Sequence, residues 1–311
     1  MSGRSGKKGA SFMNTIRKID IHAHVSAHPQ LTPRLLGTNL TYPSAEELIA
    51  LYDSLDIEYG VLLPIVCPTS MMFTSTNEDY KVIADAHPDR FFWFCNVDPR
   101  AMGNSPHADL SYLLQHYKSL GARGLGELTS NMYADDPFMD NLFHHCEECE
   151  LPVLFHISPY LGHEYGIVDD LHLPRIESML KKHPRLKFIG HSQPFWAEIS
   201  ADLTEETRNQ YPSGKVTDGT VSRLLRTYDN LYCDFSAGSG MNAMRRDPEH
   251  AARFMEEFQD RLLYGCDICA VVNRHPFEFR DFLDGMRESG AISETVYYKI
   301  SRGNAEKLLK L

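Results

Sequence analysis

The sequence has no long hydrophobic run. No stretch of about eighteen consecutive apolar residues occurs in the 311 residues, so the sequence predicts no transmembrane helix. Residues 1–12 are rich in Gly, Ser and Lys and lack an apolar core segment, which does not match a signal peptide. We expect residues 1–14 to form a flexible tail or a cloning remnant, with Met13 as a candidate natural start.

Cysteine is scarce, and basic residues are outnumbered. The seven cysteines are odd in number and scattered, which argues against a disulfide framework and favours the reducing cytoplasm as the location. The balance of 31 basic against 42 acidic residues gives a net charge of −11. Because nucleic acids and anionic membranes attract basic surfaces, this balance argues against both and leaves a small molecule as the expected partner.

The sequence also lacks a Gly-x-Gly-x-x-Gly loop after its first predicted strand, and Gly124–Gly126 is too short to replace one. Cys146 and Cys149 form a Cys-x-x-Cys pair, a spacing that suits zinc. They fall on a predicted helix, 140–150, with no second ligand pair nearby in sequence, so we interpret them as ordinary helix residues. A dinucleotide site and a cysteine-based zinc site are therefore both disfavoured.

Apolar strand segments alternate with helix segments along the whole chain. The predicted strands cover residues 16–22, 59–66, 91–97, 123–128, 152–157, 186–191, 231–235 and 261–267. The predicted helices cover residues 44–55, 78–86, 108–120, 140–150, 174–182, 221–228, 248–259 and 276–288. Eight apolar strands, each followed by a helix, predict a parallel sheet covered on both faces.

Eight such units in a chain of this length predict a (β/α)8 TIM barrel of the α/β class. A doubly wound open sheet would have fewer strands and a glycine-rich first turn. We therefore predict that residues 15–311 form a single barrel, closed by two C-terminal helices at 294–301 and 304–311.

The segment His22-Ala-His24 ends the first predicted strand. Residues two apart on a strand point to the same side, so the two imidazoles face one direction. Two converging neutral imidazoles suit a borderline metal such as Zn²⁺, but a hydrogen-bonded pair of buried histidines fits the spacing equally well.

Further polar residues stand at or near the C-terminal ends of the predicted strands, where barrel enzymes carry their active sites. With the histidine pair they are His22, His24, Glu127, His156, His191 and Asp267. Each alone is compatible with a core hydrogen bond or a helix cap. Six on one rim predict a metal centre.

The chain resembles the amidohydrolase superfamily of metal-dependent barrels. More narrowly, it resembles the amidohydrolase-related branch that includes aminocarboxymuconate-semialdehyde decarboxylase and benzoate-type decarboxylases. The matching segments are Ile19-Asp-Ile-His-Ala-His24, Leu151-Pro-Val-Leu-Phe-His156, Leu186-Lys-Phe-Ile-Gly-His191, Leu263-Tyr-Gly-Cys-Asp267 and Ile300-Ser-Arg-Gly-Asn-Ala-Glu-Lys-Leu308. They span residues 16–311 in the expected order.

The resemblance implies that His22, His24, His156 and Asp267 ligate a divalent metal, zinc first and manganese as the alternative. It places His191 beside the substrate or a metal-bound water, or on a second metal. Glu127 departs from the mononuclear pattern, because binuclear relatives carry a bridging residue at this position. Two alternatives stay open. Glu127 bridges two ions, or Glu127 binds no ion and accepts a hydrogen bond that orients a ligand histidine. Members of this branch are often dimers, so the resemblance also suggests a homodimer.

The first functional hypothesis is metal-assisted hydrolysis of an ester, lactone, amide or C–N bond. Asp267 would accept the proton of the attacking water and return it to the leaving group, while His191 would polarise the substrate or orient the water. The alternative is non-oxidative decarboxylation of a small aromatic or muconate-like acid. A third, remote hypothesis is a non-catalytic barrel that binds a metal or a ligand.

Decarboxylation would need a cation for the substrate carboxylate, and the rim offers four arginines: Arg100, Arg245, Arg246 and Arg274. The long loop 192–220 is expected to wall the pocket through Phe195 and Trp196, with 211–215 as a candidate lid. Residues 159–165 are a second candidate wall. Phe195, Trp196 and Arg274 are thus the predicted substrate-binding residues.

Overall fold

The computed structural model describes residues 16–67 and 73–311. The strands are β1 (Lys18–Ala23), β2 (Ile57–Leu62), β3 (Phe91–Trp93), β4 (Leu125–Leu128), β5 (Val153–Ser158), β6 (Ile167–Val168), β7 (Phe188–His191), β8 (Leu231–Asp234) and β9 (Leu262–Leu263). All their pairings are parallel. The predicted tail, 1–14, lies outside the described residues.

The helices surround the strands. They are α1 (Ala45–Leu55), α2 (Asn77–Ala86), α3 (Ala101–Asn104), α4 (Ser111–Ser119), α5 (Pro137–Glu148), α6 (Pro174–Lys182), α7 (Gln193–Ala197), α8 (Thr220–Thr227), α9 (Ala237–Arg245), α10 (Pro248–Glu257), α11 (His275–Glu288), α12 (Glu294–Tyr298) and α13 (Asn304–Leu309). A π-helical turn, Lys299–Gly303, joins the last two. No helix in the described ranges is long and apolar enough to cross a membrane.

Backbone hydrogen bonds join the sheet into a closed barrel. The strand order is β1-β2-β3 in one run and β4-β5-β7-β8-β9 in the other, and β6 pairs only with β5. Cys95 forms a bridge to Leu125, which connects the strand β3 region to β4. On the other side, the Ile21 N–H donates to the Tyr264 carbonyl at 3.0 Å. The predicted (β/α)8 barrel is confirmed.

Aliphatic side chains fill the barrel interior below the site. Ile19 and Ile21 of β1 are fully buried in a cluster with Val61, Leu154 and Ile189 from other strands. The same cluster includes side chains of α13, which therefore closes one end of the barrel interior. This tight packing makes the strands a rigid base for the polar residues at their other ends.

The observed elements differ from the predicted ones where a helix is very short or contains glycines, because such helices lack a clear sequence pattern. Helices α7 and α9 were not predicted, because α7 has five residues and α9 begins with two glycines within its first turn. The eighth barrel strand, β9, is only two residues long, and Asp267, four residues after its end, has a left-handed backbone with φ of 52°. Cys146 on α5 and the following Cys149 are buried free thiols, as interpreted.

Candidate metal centre

An irregularity in β1 brings both histidines of His22-Ala-His24 into the site. The pairing of β1 with β2 shifts register between Asp20 and Ala23. The buried Asp20 carboxylate replaces the lost ladder bonds, because its Oδ1 accepts from the His22 N–H at 2.9 Å and the Cys266 N–H at 2.8 Å. Tyr52 of α1 donates to its other oxygen at 2.6 Å. Asp20 thereby holds the backbone that carries His22.

The hydrogen bonds of the two histidines determine where their lone pairs point. His22 Nδ1 lies 2.7 Å from Asp234 Oδ2, and His24 Nδ1 lies 2.9 Å from the Leu63 carbonyl. Since both partners are acceptors, each Nδ1 carries a proton, and in a neutral imidazole the lone pair is then on Nε2. The two Nε2 atoms nevertheless lie only 3.0 Å apart. Two ring nitrogens at this distance need either a shared proton or a metal ion between them.

Two carboxylates complete the same cluster of acceptors. Glu127 Oε2 lies 3.2 Å from His24 Nε2 and 3.5 Å from His22 Nε2. Asp267 Oδ1 lies 3.6 Å and 3.7 Å from the same two nitrogens. Ligands about 2.0–2.2 Å from a tetrahedral zinc ion are separated by distances of this order. The four atoms therefore fit a divalent ion.

The other oxygen of Glu127 faces a second group of possible ligands. Glu127 Oε1 lies 2.8 Å from His156 Nδ1 and 4.0 Å from His191 Nε2. His191 Nε2 is in turn 3.7 Å from Asp267 Oδ2. Glu127 thus stands between two histidine groups, as expected of either a bridging ligand or an acceptor that orients His156. The structure brings all six predicted rim residues together.

Asp234 is a site residue that sequence reasoning missed. Its Oδ2 accepts from His22 at 2.7 Å and lies 3.2 Å from His191 Nδ1, and the side chain is fully buried. Ser236 Oγ donates to the same oxygen at 2.7 Å and lies 2.9 Å from His191 Nδ1. One carboxylate therefore orients two histidines. Its position at the end of an apolar strand is the signal that identified the other six.

The carboxylates make the site strongly negative. Burial alone would raise the pKa of Glu127, but the charge of His22 and a hydrogen bond from His156 hold it well below its ordinary value. Burial opposes ionisation of Asp267 too, yet the nearby histidines lower its pKa. Burial disfavours the charged form of His22, and the carboxylates of Asp267 and Glu127 outweigh burial and raise its pKa well above normal. A site of this kind attracts a cation.

The backbone and a thiol orient Asp267. Its N–H donates to the His22 carbonyl at 2.9 Å, which ties the end of the eighth barrel strand to β1. The Cys269 thiol donates to Asp267 Oδ1 at 3.4 Å. Asp267 is thus held with one oxygen toward His22 and His24 and the other toward His191.

A cavity of about 210 Å³ opens directly above these residues. His156, His191 and Asp267 line it, together with Tyr165 and Tyr211. Burial, followed by the charges of Glu127 and Asp267, raises the pKa of Tyr165 well above normal, so its phenol stays neutral. Ligand pockets for drug-sized molecules measure roughly 300–1,000 Å³, so this cavity suits a small molecule.

The prediction that Phe195 and Trp196 wall the pocket is wrong. Both lie on α7 and are buried in the core, at 0% and 1% exposure, because the chain after β7 turns into a helix and packs inward. Trp196 donates to the Asp234 carbonyl at 2.8 Å and stacks on Phe235. The neighbouring Ser192, Gln193 and Pro194 line the cavity instead.

Arg274 does not line the cavity either. It precedes α11 and is exposed, so the prediction that it binds substrate is corrected. Arg100 forms an ion pair with Asp98 at 2.8 Å, and Arg245 pairs with Glu278 at 2.8 Å. Of the predicted loop residues, Tyr211 and the 159–165 segment do reach the cavity, the latter through Glu164 and Tyr165.

Comparisons with known proteins identify the family and the fold. A family model described as amidohydrolase matches residues 19–311. No curated protein matches the chain. Among solved structures, 2,6-dihydroxybenzoate decarboxylase from Rhizobium superposes with a TM-score of 0.57 at 16% identity, covering 94% of this chain and 98% of that one.

Two further solved structures share the fold. A 5-carboxyvanillate decarboxylase from Novosphingobium aromaticivorans, complexed with manganese, gives a TM-score of 0.59 at 18% identity, covering 96% and 97% of the two chains. A probable 2-pyrone-4,6-dicarboxylic acid hydrolase from Acinetobacter baumannii gives 0.57 at 13% identity, covering 95% and 100%. At these identities the likeness concerns the fold.

Proposed function

The chain belongs to the amidohydrolase family, and we propose that it is a metal-dependent, non-oxidative decarboxylase of a small carboxylic acid. The observation that carries the proposal is the position of Asp267, which faces both the ligand cluster and the cavity. Two similar folds belong to decarboxylases of substituted benzoic acids, which supports decarboxylation ahead of the hydrolysis first expected from the sequence.

The residues that would hold the ion are His22, His24, Asp267 and Glu127, with His156 beside them. Their nitrogen and oxygen donors suit zinc or manganese, and manganese accompanies one similar fold. When bound, the ion would supply Lewis-acid chemistry and positive charge to a ligand in the cavity. This charge can neutralise a substrate carboxylate, a task for which the cavity offers no lysine or arginine among its described lining residues.

Asp267 and His191 are placed to handle the proton of the reaction. Their side chains lie 3.7 Å apart and both line the cavity. In the proposed reaction the bond between the substrate carbon and its carboxylate breaks, and CO₂ leaves. The electron pair stays on the carbon, which takes up the proton held by the Asp267–His191 pair. Ser236 and Asp234 keep His191 oriented for this transfer.

Hydrolysis remains a second candidate, supported by Glu127. A second carboxylate beside Asp267 gives the site one group to bind the ion and one to accept a proton from water. A hydrolase also shares the fold. Under this alternative the substrate is an ester, lactone or amide.

We expect the protein to work in the cytoplasm on a small molecule, as a monomer or homodimer. Cys95, Cys146, Cys149, Cys233 and Cys266 are buried thiols, which suits a reducing compartment.

An assay with labelled substrates separates the two reactions. Zinc- or manganese-loaded protein is incubated with hydroxybenzoates labelled with carbon-13 in the carboxylate, and with a panel of lactones and esters. We expect labelled CO₂ from at least one acid, and loss of activity by at least about 100-fold in Asp267→Asn. Asp218→Asn, a carboxylate outside the site, is the control. Acid release from a lactone without any CO₂ would favour hydrolysis instead.

A further inference from the structure

One wall of the cavity contains a buried hydroxyl without a protein partner. Ser239 lies on α9, lines the cavity and is 4% exposed. Its Oγ makes no hydrogen bond within the described part of the chain. Burying a hydroxyl without a partner costs free energy, so a partner from the cavity itself would stabilise this position.

The backbone around Ser239 is held rigidly. A Cβ added at Gly240 would lie 2.2 Å from the Phe235 carbonyl, so α9 packs directly against the end of β8. A Cβ added at Gly238 would lie 3.2 Å from the Tyr211 hydroxyl, which places Tyr211 over the same turn. Ser239 is therefore a fixed point of the wall, three residues after the Ser236 that holds His191.

The cavity lining includes further polar side chains besides Ser239. Gln193 and Asn209 are among them, and Asn209 donates to Glu164 Oε1 at 3.3 Å. None of the described lining residues is lysine or arginine. A second carboxylate on a ligand would thus meet Glu164 and no cationic side chain of this wall.

We propose that Ser239 is a substrate-binding residue that selects, with Gln193 and Asn209, a small monocarboxylate carrying an uncharged hydroxyl over one carrying a second carboxylate. This inference rests on the proposed function, because it assumes that the first carboxylate binds at the ligand cluster. The Ser239 hydroxyl then exchanges a hydrogen bond with the hydroxyl of the ligand. The second carboxylate of a dicarboxylate would lose its hydration without gaining a counter-charge.

The test measures binding by calorimetry to the zinc-loaded protein. The probes are benzoate, its 2-, 3- and 4-hydroxy derivatives, and the dicarboxylate isophthalate. We expect one hydroxybenzoate to bind more tightly than benzoate and at least about 10-fold more tightly than isophthalate. Ser239→Ala should weaken the affinity for that hydroxybenzoate about 3- to 10-fold, which corresponds to the loss of one neutral hydrogen bond. The affinity for benzoate should stay unchanged.

Ser222→Ala and Ser301→Ala are matched controls, because both hydroxyls are buried without a partner but lie outside the cavity lining. The two control variants should leave every affinity unchanged, and none of the three variants should lower the thermal midpoint, because each removes a buried hydroxyl without a partner. Isophthalate binding as tightly as the hydroxybenzoates would overturn the inference. So would an equal loss for benzoate and hydroxybenzoate in Ser239→Ala, or failure of every probe to bind.

Binding and turnover report on separate claims. If the hydroxybenzoate binds with the expected pattern but releases no CO₂, the role of Ser239 stands and the proposed decarboxylation fails. If CO₂ is released but Ser239→Ala does not weaken the affinity for the hydroxybenzoate more than that for benzoate, the decarboxylation stands and the role of Ser239 fails.

Discussion

At the scale of single residues, the site depends on which atom of each histidine carries a proton. Asp234 and the Leu63 carbonyl bind the Nδ1 atoms of His22 and His24, so both Nε2 lone pairs point to one place. Hydrogen bonds of this type commonly raise the basicity of a metal ligand and fix its orientation. The ability of the histidine pair to bind an ion therefore depends also on Asp234 and Leu63, which are not among the proposed ligands.

Replacing Asp234 tests this dependence. We expect Asp234→Asn to weaken zinc affinity about 10- to 100-fold. The reason is that an amide holds the imidazoles of His22 and His191 less strongly than a carboxylate does. Titration of the apoprotein with zinc against a competing chelator measures the effect. Asp218→Asn, which removes the carboxylate partner of His250 outside the site, should leave zinc affinity unchanged. Equal affinities in parent and Asp234→Asn would contradict the assigned role.

At the scale of elements, the long connection after β7 is fastened to the helices around it. Asp247 caps α10 and also accepts from the Val216 N–H at 3.0 Å and from Lys215 Nζ at 3.1 Å. This connection supplies Asn209 and Tyr211 to the cavity. The cap therefore stabilises a helix and one wall of the site together.

The pH dependence of this cap follows from its pKa. Burial would raise the pKa of Asp247, but hydrogen bonds from Val216, Lys215 and His250 lower it from 3.8 to about 2. Because the folded pKa is below the unfolded one, the stabilisation is complete above about pH 4 and is lost as the pH falls toward 2. We expect Asp247→Ala to lower the unfolding free energy by about 1–2 kcal/mol at pH 7.

Urea denaturation at pH 7, 4 and 3 measures the difference between parent and Asp247→Ala. The difference should shrink steadily between pH 4 and pH 3. Glu249→Ala is the control, since that exposed carboxylate also contacts Lys215 but caps nothing. A difference independent of pH would show that the charge of Asp247 does not contribute.

Much of the element order was accessible from the sequence, for a physical reason. Strands buried on both faces are apolar throughout, so a polar residue ending such a strand is conspicuous, as at His156 and His191. Helix α7 escaped detection because five residues show no periodicity. The direction of Phe195 and Trp196 was not accessible, since whether a loop aromatic packs inward depends on neighbours such as Phe235 that are distant in sequence.

At the scale of the whole molecule, the centre joins the two ends of the barrel sequence. His22 lies on the first strand, His24 directly follows it, and Asp267 follows the last strand, so an ion bound by all three adds a link across the closure of the barrel. Without a bound ion, the carboxylate oxygens and imidazole nitrogens of the cluster lie only 3.0–3.7 Å apart. The apoprotein should therefore be less stable.

Removing the metal tests this link. A ligand at 1,000 times its Kd stabilises a folded protein by about 4 kcal/mol, so we expect chelation to lower the thermal midpoint by several degrees and zinc to restore it. Differential scanning calorimetry with and without a chelator makes the measurement. The variant His24→Ala serves as control, because its midpoint should respond much less to the chelator. Equal responses of parent and variant would place the metal elsewhere.

The central claim is that His22, His24, Asp267 and their neighbours hold a divalent ion on which the activity depends. Elemental analysis of the purified, folded protein tests it most directly. We expect at least one zinc or manganese per chain, with two per chain indicating that Glu127 bridges a pair of ions, and a large loss of metal in His24→Ala. A folded parent protein that holds no stoichiometric metal, even after incubation with zinc or manganese, would contradict it.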